Sequence, residues 1–186
     1  MNSVRIIGGA WRRRLLRFPD SEGLRPTPDR VRETLFNWLG QDLSGMTCLD
    51  LFAGSGALGF EAASRGADRV VLVENSPRVA AALRENAQAL DSDGRLEIVR
   101  GDAVQYAASN MRQYDAVFLD PPYHQGWIGK LAPLLGRLLK PAAALYIEAE
   151  YAMEFPGPEM AEWRTVRHGR AGEVHFHLMR REPVDA

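Results

Sequence analysis

The chain has 186 residues, 46% of them hydrophobic, a single cysteine and a formal net charge of −1. That length and apolar content suit one domain with a full core, so folding calls for neither a disulfide framework nor a structural metal. No apolar run approaches the ~20 residues a membrane-spanning helix needs, and the N-terminus lacks a signal-peptide core; a soluble, cytoplasmic protein is expected.

Charge is unevenly spread. Residues 1–40 hold eight arginines (5, 12, 13, 14, 17, 25, 30, 32) against four acids (20, 22, 29, 33), a net +4 that leaves −5 on the remainder. A basic arm on an acidic body points to a polyanionic partner such as nucleic acid. The first runs, VRII (4–7) and WRRRLL (11–16), flank Gly8-Gly9, a turn signal that predicts a small hairpin. LRPTPDRVRETLFNWL then starts a helix near Thr27 or Pro28, with Asp29 and Glu33 toward its positive end. Val31, Leu35, Trp38 and Leu39 fall on one face at helical spacing. We take 1–40 as a basic hairpin-and-helix region and 41–186 as the main domain.

From residue 47 strands and helices alternate. TCLDLF, RVVLVE, RLEIV, YDAVFLD and AALYIEA read as buried strands, with helices expected at 57–66, 77–90, 102–110 and 127–139. EWRTVRHGRAGEVHFHLMRR looks like a closing antiparallel pair joined at Gly169–Gly172. Regular alternation with nearly continuous apolar strands predicts a mostly parallel α/β sheet covered on both faces. Ligands in such sheets bind beyond the carboxyl ends of the strands. Asp50–Gly59, Glu74, Asp102 and Asp120–Tyr123 all lie at those ends.

LDLFAGSGALG contains a literal G-x-G-x-x-G from Gly54 to Gly59, the pattern of a dinucleotide loop. Asp50, four residues before the first glycine, would oppose a phosphate and favour a cation. S-adenosylmethionine carries a sulfonium and an ammonium and no phosphate. Glu74, twenty residues after Gly54, can accept from ribose hydroxyls with either ligand, and Asp102 can accept from an adenine amino group. The choice between them is made by Asp120-Pro121-Pro122-Tyr123. An amino group conjugated to a ring is nearly planar and a poor nucleophile. The Asp120 carboxylate and the Pro121 carbonyl can each accept one N–H, aiming the nitrogen lone pair, while the prolines stiffen the backbone. Tyr123 offers a flat face for a base. Cys48 reads as a core residue, and no histidine has zinc-ligand spacing with cysteine; His124 is a candidate substrate contact, His175 and His177 ordinary strand residues.

DLFAGSGALG, the acid in VLVEN, GDA and DPPY together resemble a Rossmann-like class I amino-methyltransferase. RIIGGAWRRRLL with LRPTPDRVRETLFNWL narrows the resemblance to the RsmD family, which methylates the exocyclic N2 of one guanine in small-subunit (16S) ribosomal RNA. This chain has Pro28 where the family usually has Thr or Ser. The resemblance implies a seven-stranded sheet of order 3-2-1-4-5-7-6, its seventh strand antiparallel, with helices on both faces and the hairpin and helix as an extension. It implies S-adenosylmethionine as donor, S-adenosylhomocysteine as product and no metal. Asp50, Phe52, Gly54, Ser55, Gly56, Glu74, Asp102 and Ala103 would hold the donor. Asp120, Pro121 and Tyr123 would carry the catalysis. Pro122, Thr27, Arg30, Arg32 and the triplet Arg12, Arg13 and Arg14 would meet the substrate. The implied partner is 16S rRNA in an assembled or partly assembled small subunit, met by a monomer. The alternatives are an amino-methyltransferase for DNA adenine or cytosine or for protein glutamine, and a non-catalytic RNA-binding assembly factor.

Overall fold

A computed structural model describes residues 1–153 and 157–182. Its centre is a seven-stranded sheet. In chain order its strands are β3 (Thr47–Asp50), β4 (Arg69–Glu74), β5 (Leu96–Arg100), β6 (Tyr114–Leu119), β7 (Leu139–Ala149), β8 (Trp163–Ala171) and β9 (Val174–Arg181). They lie in the order β5-β4-β3-β6-β7-β9-β8, parallel from β5 to β7, with β9 antiparallel to both neighbours. This is the expected 3-2-1-4-5-7-6 arrangement. The turn between β8 and β9 is at Gly172; Gly169 lies inside β8, where an added Cβ would come within 2.3 Å of the Phe176 ring.

Side chains alternate across the strands, and the two faces feed two separate cores. Cys48, Val70, Leu72, Phe118 and Tyr146 face α1 (Asp29–Leu39), α2 (Ala57–Ser64) and α3 (Pro77–Ala89). Leu49, Val71, Val73, Leu119 and Ile147 face α4 (Ala103–Ser109) and α5 (Trp127–Leu138). Each helix starts for a local reason. Ser76 caps α3 by accepting from Val79 N, with Pro77 in the first turn, and Asp102 caps α4. Gly56, at φ 82°, turns the chain into α2 with no side chain of its own to cap it, and Ser55 and Asp50 accept from the first-turn amides of Ala57 and Gly59 instead.

The N-terminal hairpin differs from the expectation. Its strands are β1 (Asn2–Arg5) and β2 (Leu15–Phe18), paired Arg5 with Leu15. The reversal falls at residues 10–13, with Arg13 at φ 72°, so Arg12 and Arg13 sit in the turn and Arg14 just after it, none of them on a strand. Gly8-Gly9 serves instead as a docking point. A Cβ on Gly9 would lie 1.9 Å from the Ser64 carbonyl oxygen, so only glycine permits this approach to the end of α2. Ala10 N donates to Ser64 O at 2.7 Å, Trp11 N to Ser64 Oγ, and Arg14 to Ala89 O at the end of α3. The basic turn therefore rests on the carboxyl ends of α2 and α3, opposite the edge where the acid-bearing loops gather. Val4, Ile6, Trp11, Leu16 and Phe18 join the same core as α1 and α2.

Candidate active site

Four loops meet at the carboxyl edge of β3, β4, β5 and β6. Asp50 ends β3 fully buried. Gly59 N donates to its Oδ2 at 3.2 Å, and its Oδ1 has no partner. Burial pushes this carboxyl up to about 7, against the pull of the Gly59 and Phe52 amides. Gly54 and Gly56 both adopt left-handed φ, 51° and 82°, which folds the loop tightly over the strand end. Ser55 is buried, with its Oγ accepting from Ala57 N. Phe52 packs edge-on against Trp127 at 5.4 Å.

Glu74 ties this loop to the next strand. Its Oε2 accepts from Gly54 N and its Oε1 from Ser76 N, both at 2.9 Å. A carboxylate has about four acceptor sites, so hydroxyl groups can still be received. Asp102 caps α4 through Oδ1, accepting from Gln105 N at 3.0 Å, which leaves Oδ2 outside the cap; Ala103 follows it, buried, in the first turn.

Asp120 follows β6 directly. Phe118 pairs with Tyr146 across β6 and β7, so two residues further on Asp120 and Glu148 stand side by side on the α1 face. Their carboxyls are close enough to hydrogen-bond to one another. Glu148 is buried, and its Oε1 accepts from the Thr27 hydroxyl at 2.8 Å and the Tyr146 hydroxyl at 2.9 Å. Burial, then Glu148 and Asp50, push the Asp120 carboxyl well above the usual range. Burial also raises Glu148, but its hydrogen bonds from Thr27, Tyr146 and Asp120 hold it down. Beside the pair lies a cavity of about 160 Å³, lined by Pro121, Pro122, Tyr123, Trp127, Glu150 and Tyr151 among others. Tyr123 is partly exposed there, its hydroxyl pushed up to about 12 by burial and by the acids around it. His124 Nδ1 stands 3.3 Å from Glu150, whose Oε2 is buried without a partner. A larger hollow, about 520 Å³, opens around Leu96 at the start of β5, away from these loops.

Two of the expected substrate contacts are buried and spent on internal partners. Arg32 is completely buried. Its guanidinium donates to the carbonyls of Thr27 and Arg5 and meets Asp29 at 2.5 Å and Glu61 at 3.2 Å, a buried set of partners that an RNA phosphate does not reach. Thr27 is likewise buried, its hydroxyl given to Glu148. Arg30 stays exposed, near the Arg170 carbonyl. Arg12, Arg13 and Arg14 are exposed but lie at the opposite edge. Glu148, Tyr146 and Glu61 went unread in the sequence. The signal for Glu148 was an acid inside the apolar run LYIEA, in a strand covered on both faces.

Comparison with known proteins places this geometry. The profile of the family described as "Conserved hypothetical protein 95" matches residues 4–180. Ribosomal RNA small subunit methyltransferase D of Escherichia coli K12 is 42% identical over 181 residues, 96% of this chain and 90% of that protein. The chain belongs to the RsmD family. A second RsmD, from Haemophilus influenzae, is also 42% identical, covering 94% of this chain and 92% of that one. A solved Escherichia coli structure described as the putative methyltransferase yhhF superposes with a TM-score of 0.85 at 40% identity, covering 97% of this chain and 99% of that one. The RsmD likeness thus includes the hairpin and α1 as well as the sheet.

Proposed function

We propose that this protein transfers a methyl group from S-adenosylmethionine to the exocyclic N2 of a guanine in 16S ribosomal RNA. The observation that carries this reading is the Asp120-Pro121-Pro122-Tyr123 loop at the end of β6, beside a tight glycine loop that starts from a buried acid. Relatives named for small-subunit rRNA methylation support the RNA substrate. The residues fit a cationic donor: Asp50 Oδ1 is an unpartnered buried acceptor, and Asp120 and Glu148 add two more carboxyls to the same edge. A pyrophosphate would meet three acids there.

Asp50, Phe52, Gly54, Ser55 and Gly56 would receive the methionine end, Glu74 the ribose, and Asp102 with Ala103 the adenine. Bound there, the donor supplies an electron-poor methyl carbon. Asp120 and the Pro121 carbonyl accept the two N–H bonds of the target amine, and Pro122 and Tyr123 border the base. Holding two reactants in line can supply ~7–11 kcal/mol of the barrier reduction. The arginines of the basic turn and Arg30 would bind backbone phosphates. The working substrate is an assembled or partly assembled small subunit, and the enzyme acts as a monomer.

Labelled donor incubated separately with small subunits, naked 16S rRNA, DNA and protein should label RNA alone, at guanine N2. Label in DNA or protein would overturn the substrate. Asp120→Ala should lower kcat about 10³-fold or more, with S-adenosylhomocysteine affinity unchanged within about threefold. Normal turnover in that variant would remove Asp120 from the catalysis.

A further inference from the structure

Glu148 is a buried acid that the methyl-transfer geometry does not use, yet it touches the residue that does. Its neighbours are one-sided. Thr27, before α1, and Tyr146, on β7, both donate to Oε1, while Asp120 meets the same carboxyl from β6. Asp50 of β3, Tyr123 of the loop and Tyr146 add acidic groups, while Arg32 of α1, which donates to the Thr27 carbonyl, is already paired with Asp29 and Glu61. His124 is at the cavity, engaged with Glu150. Two carboxyls in hydrogen-bonding contact need a proton between them, because an ionised carboxylate only accepts. Both hydroxyls donate to Glu148 and only that of Thr27 also reaches Asp120, so Glu148 is the accepting partner and Asp120 carries the proton when no donor is bound.

We propose that Asp120 and Glu148 form one proton-storing pair, which releases its proton when the sulfonium donor binds and takes up the proton of the amine as the methyl group is transferred. The inference rests on the donor and substrate reading above. The balance closes. The nitrogen lone pair forms the N–C bond while the C–S electrons return to sulfur. The N–H electrons then return to nitrogen, and that proton goes to Asp120, which keeps it and hydrogen-bonds through it to Glu148. Before transfer the site holds a sulfonium and two carboxylates; afterwards it holds a neutral thioether and a pair carrying one proton. The net buried charge is the same on both sides of the step, which suits an interior where an uncompensated charge is costly. Glu148 is therefore a positioning residue that acts through Asp120, with Thr27 and Tyr146 holding it in place.

The test compares S-adenosylmethionine with S-adenosylhomocysteine by titration calorimetry, in buffers of different ionisation heat, across pH 5 to 9. Both ligands carry the same amino acid and adenosine, so the difference isolates the sulfonium. About one extra proton should leave per S-adenosylmethionine bound, and its affinity should rise up to about tenfold per pH unit while that for S-adenosylhomocysteine changes little. In Glu148→Gln the extra proton should vanish. Tyr146→Phe, which removes one hydroxyl and keeps the ring, should move the release to higher pH. Equal proton counts for the two ligands in the native protein would overturn the pair. So would an extra proton that persists in Glu148→Gln, since Asp120 alone or Asp50 would then be its source. Failure of both ligands to bind would instead overturn the donor reading, and the pair with it.

Discussion

Asp50 faces two demands at once, burial beneath the glycine loop and readiness for a cation. Its raised pKa has a stability consequence with a definite sign. A carboxyl that ionises near 4 when unfolded but near 7 when folded binds more protons in the native state across that interval. Its contribution is full below about pH 4 and is lost as pH rises toward 7. In melts of donor-free protein, Asp50→Asn should therefore gain stability over the native chain as pH rises through that window; a constant difference would mean Asp50 ionises normally. Residues at this scale were unevenly legible. Asp50, Asp120 and Tyr123 stood out because strand ends and the DPPY string mark them. Arg32 did not, because in DRVRETLF it stands among other charged residues and nothing local tells a buried guanidinium from a surface one. Thr27 was misread for the same reason: its partner lies 121 positions away.

Between elements, Glu61 is the joint that fastens the hairpin and α1 to the sheet. Although it sits in the middle of α2, it is completely buried. It accepts from Ile7 N at 2.9 Å and Gly8 N at 2.8 Å, and it pairs with both Arg32 and Arg65. Breaking such a joint from one side strands the opposite charges. Glu61→Ala should cost about 3–5 kcal/mol, read as a lower denaturant midpoint, with a larger rise in amide exchange at Ile7 and Gly8 than in β1 and β2. Loss spread evenly over the chain would deny it this role. The mostly parallel sheet was readable from the β-α alternation, while its strand order came from the RsmD resemblance, because crossovers of one hand permit more than one order. The hairpin was not. Gly8-Gly9 carries a turn signature in sequence, and only the contact with Ser64 reveals that the glycines are there for close approach.

Across the whole molecule, charge and chemistry are separated. The acid-bearing loops crown one edge of the sheet, while the turn bearing Arg12, Arg13 and Arg14 rests on the far ends of α2 and α3. No described helix is long and apolar enough to cross a membrane. Replacing the three arginines with alanine should weaken RNA binding and lower the salt slope by roughly two, at ~0.7–0.9 per lost phosphate contact. An unchanged slope would leave them as a solvated turn. The separation also constrains what can be held. The thirteen residues of α3 span about 20 Å, close to six base-pair steps at ~3.4 Å each. A nucleic acid touching both places must be long and stiff enough to bridge them. A hairpin trimmed to the target base and its nearest neighbours should therefore react at an undiminished maximal rate yet require far higher concentrations, because its distant backbone has been cut away.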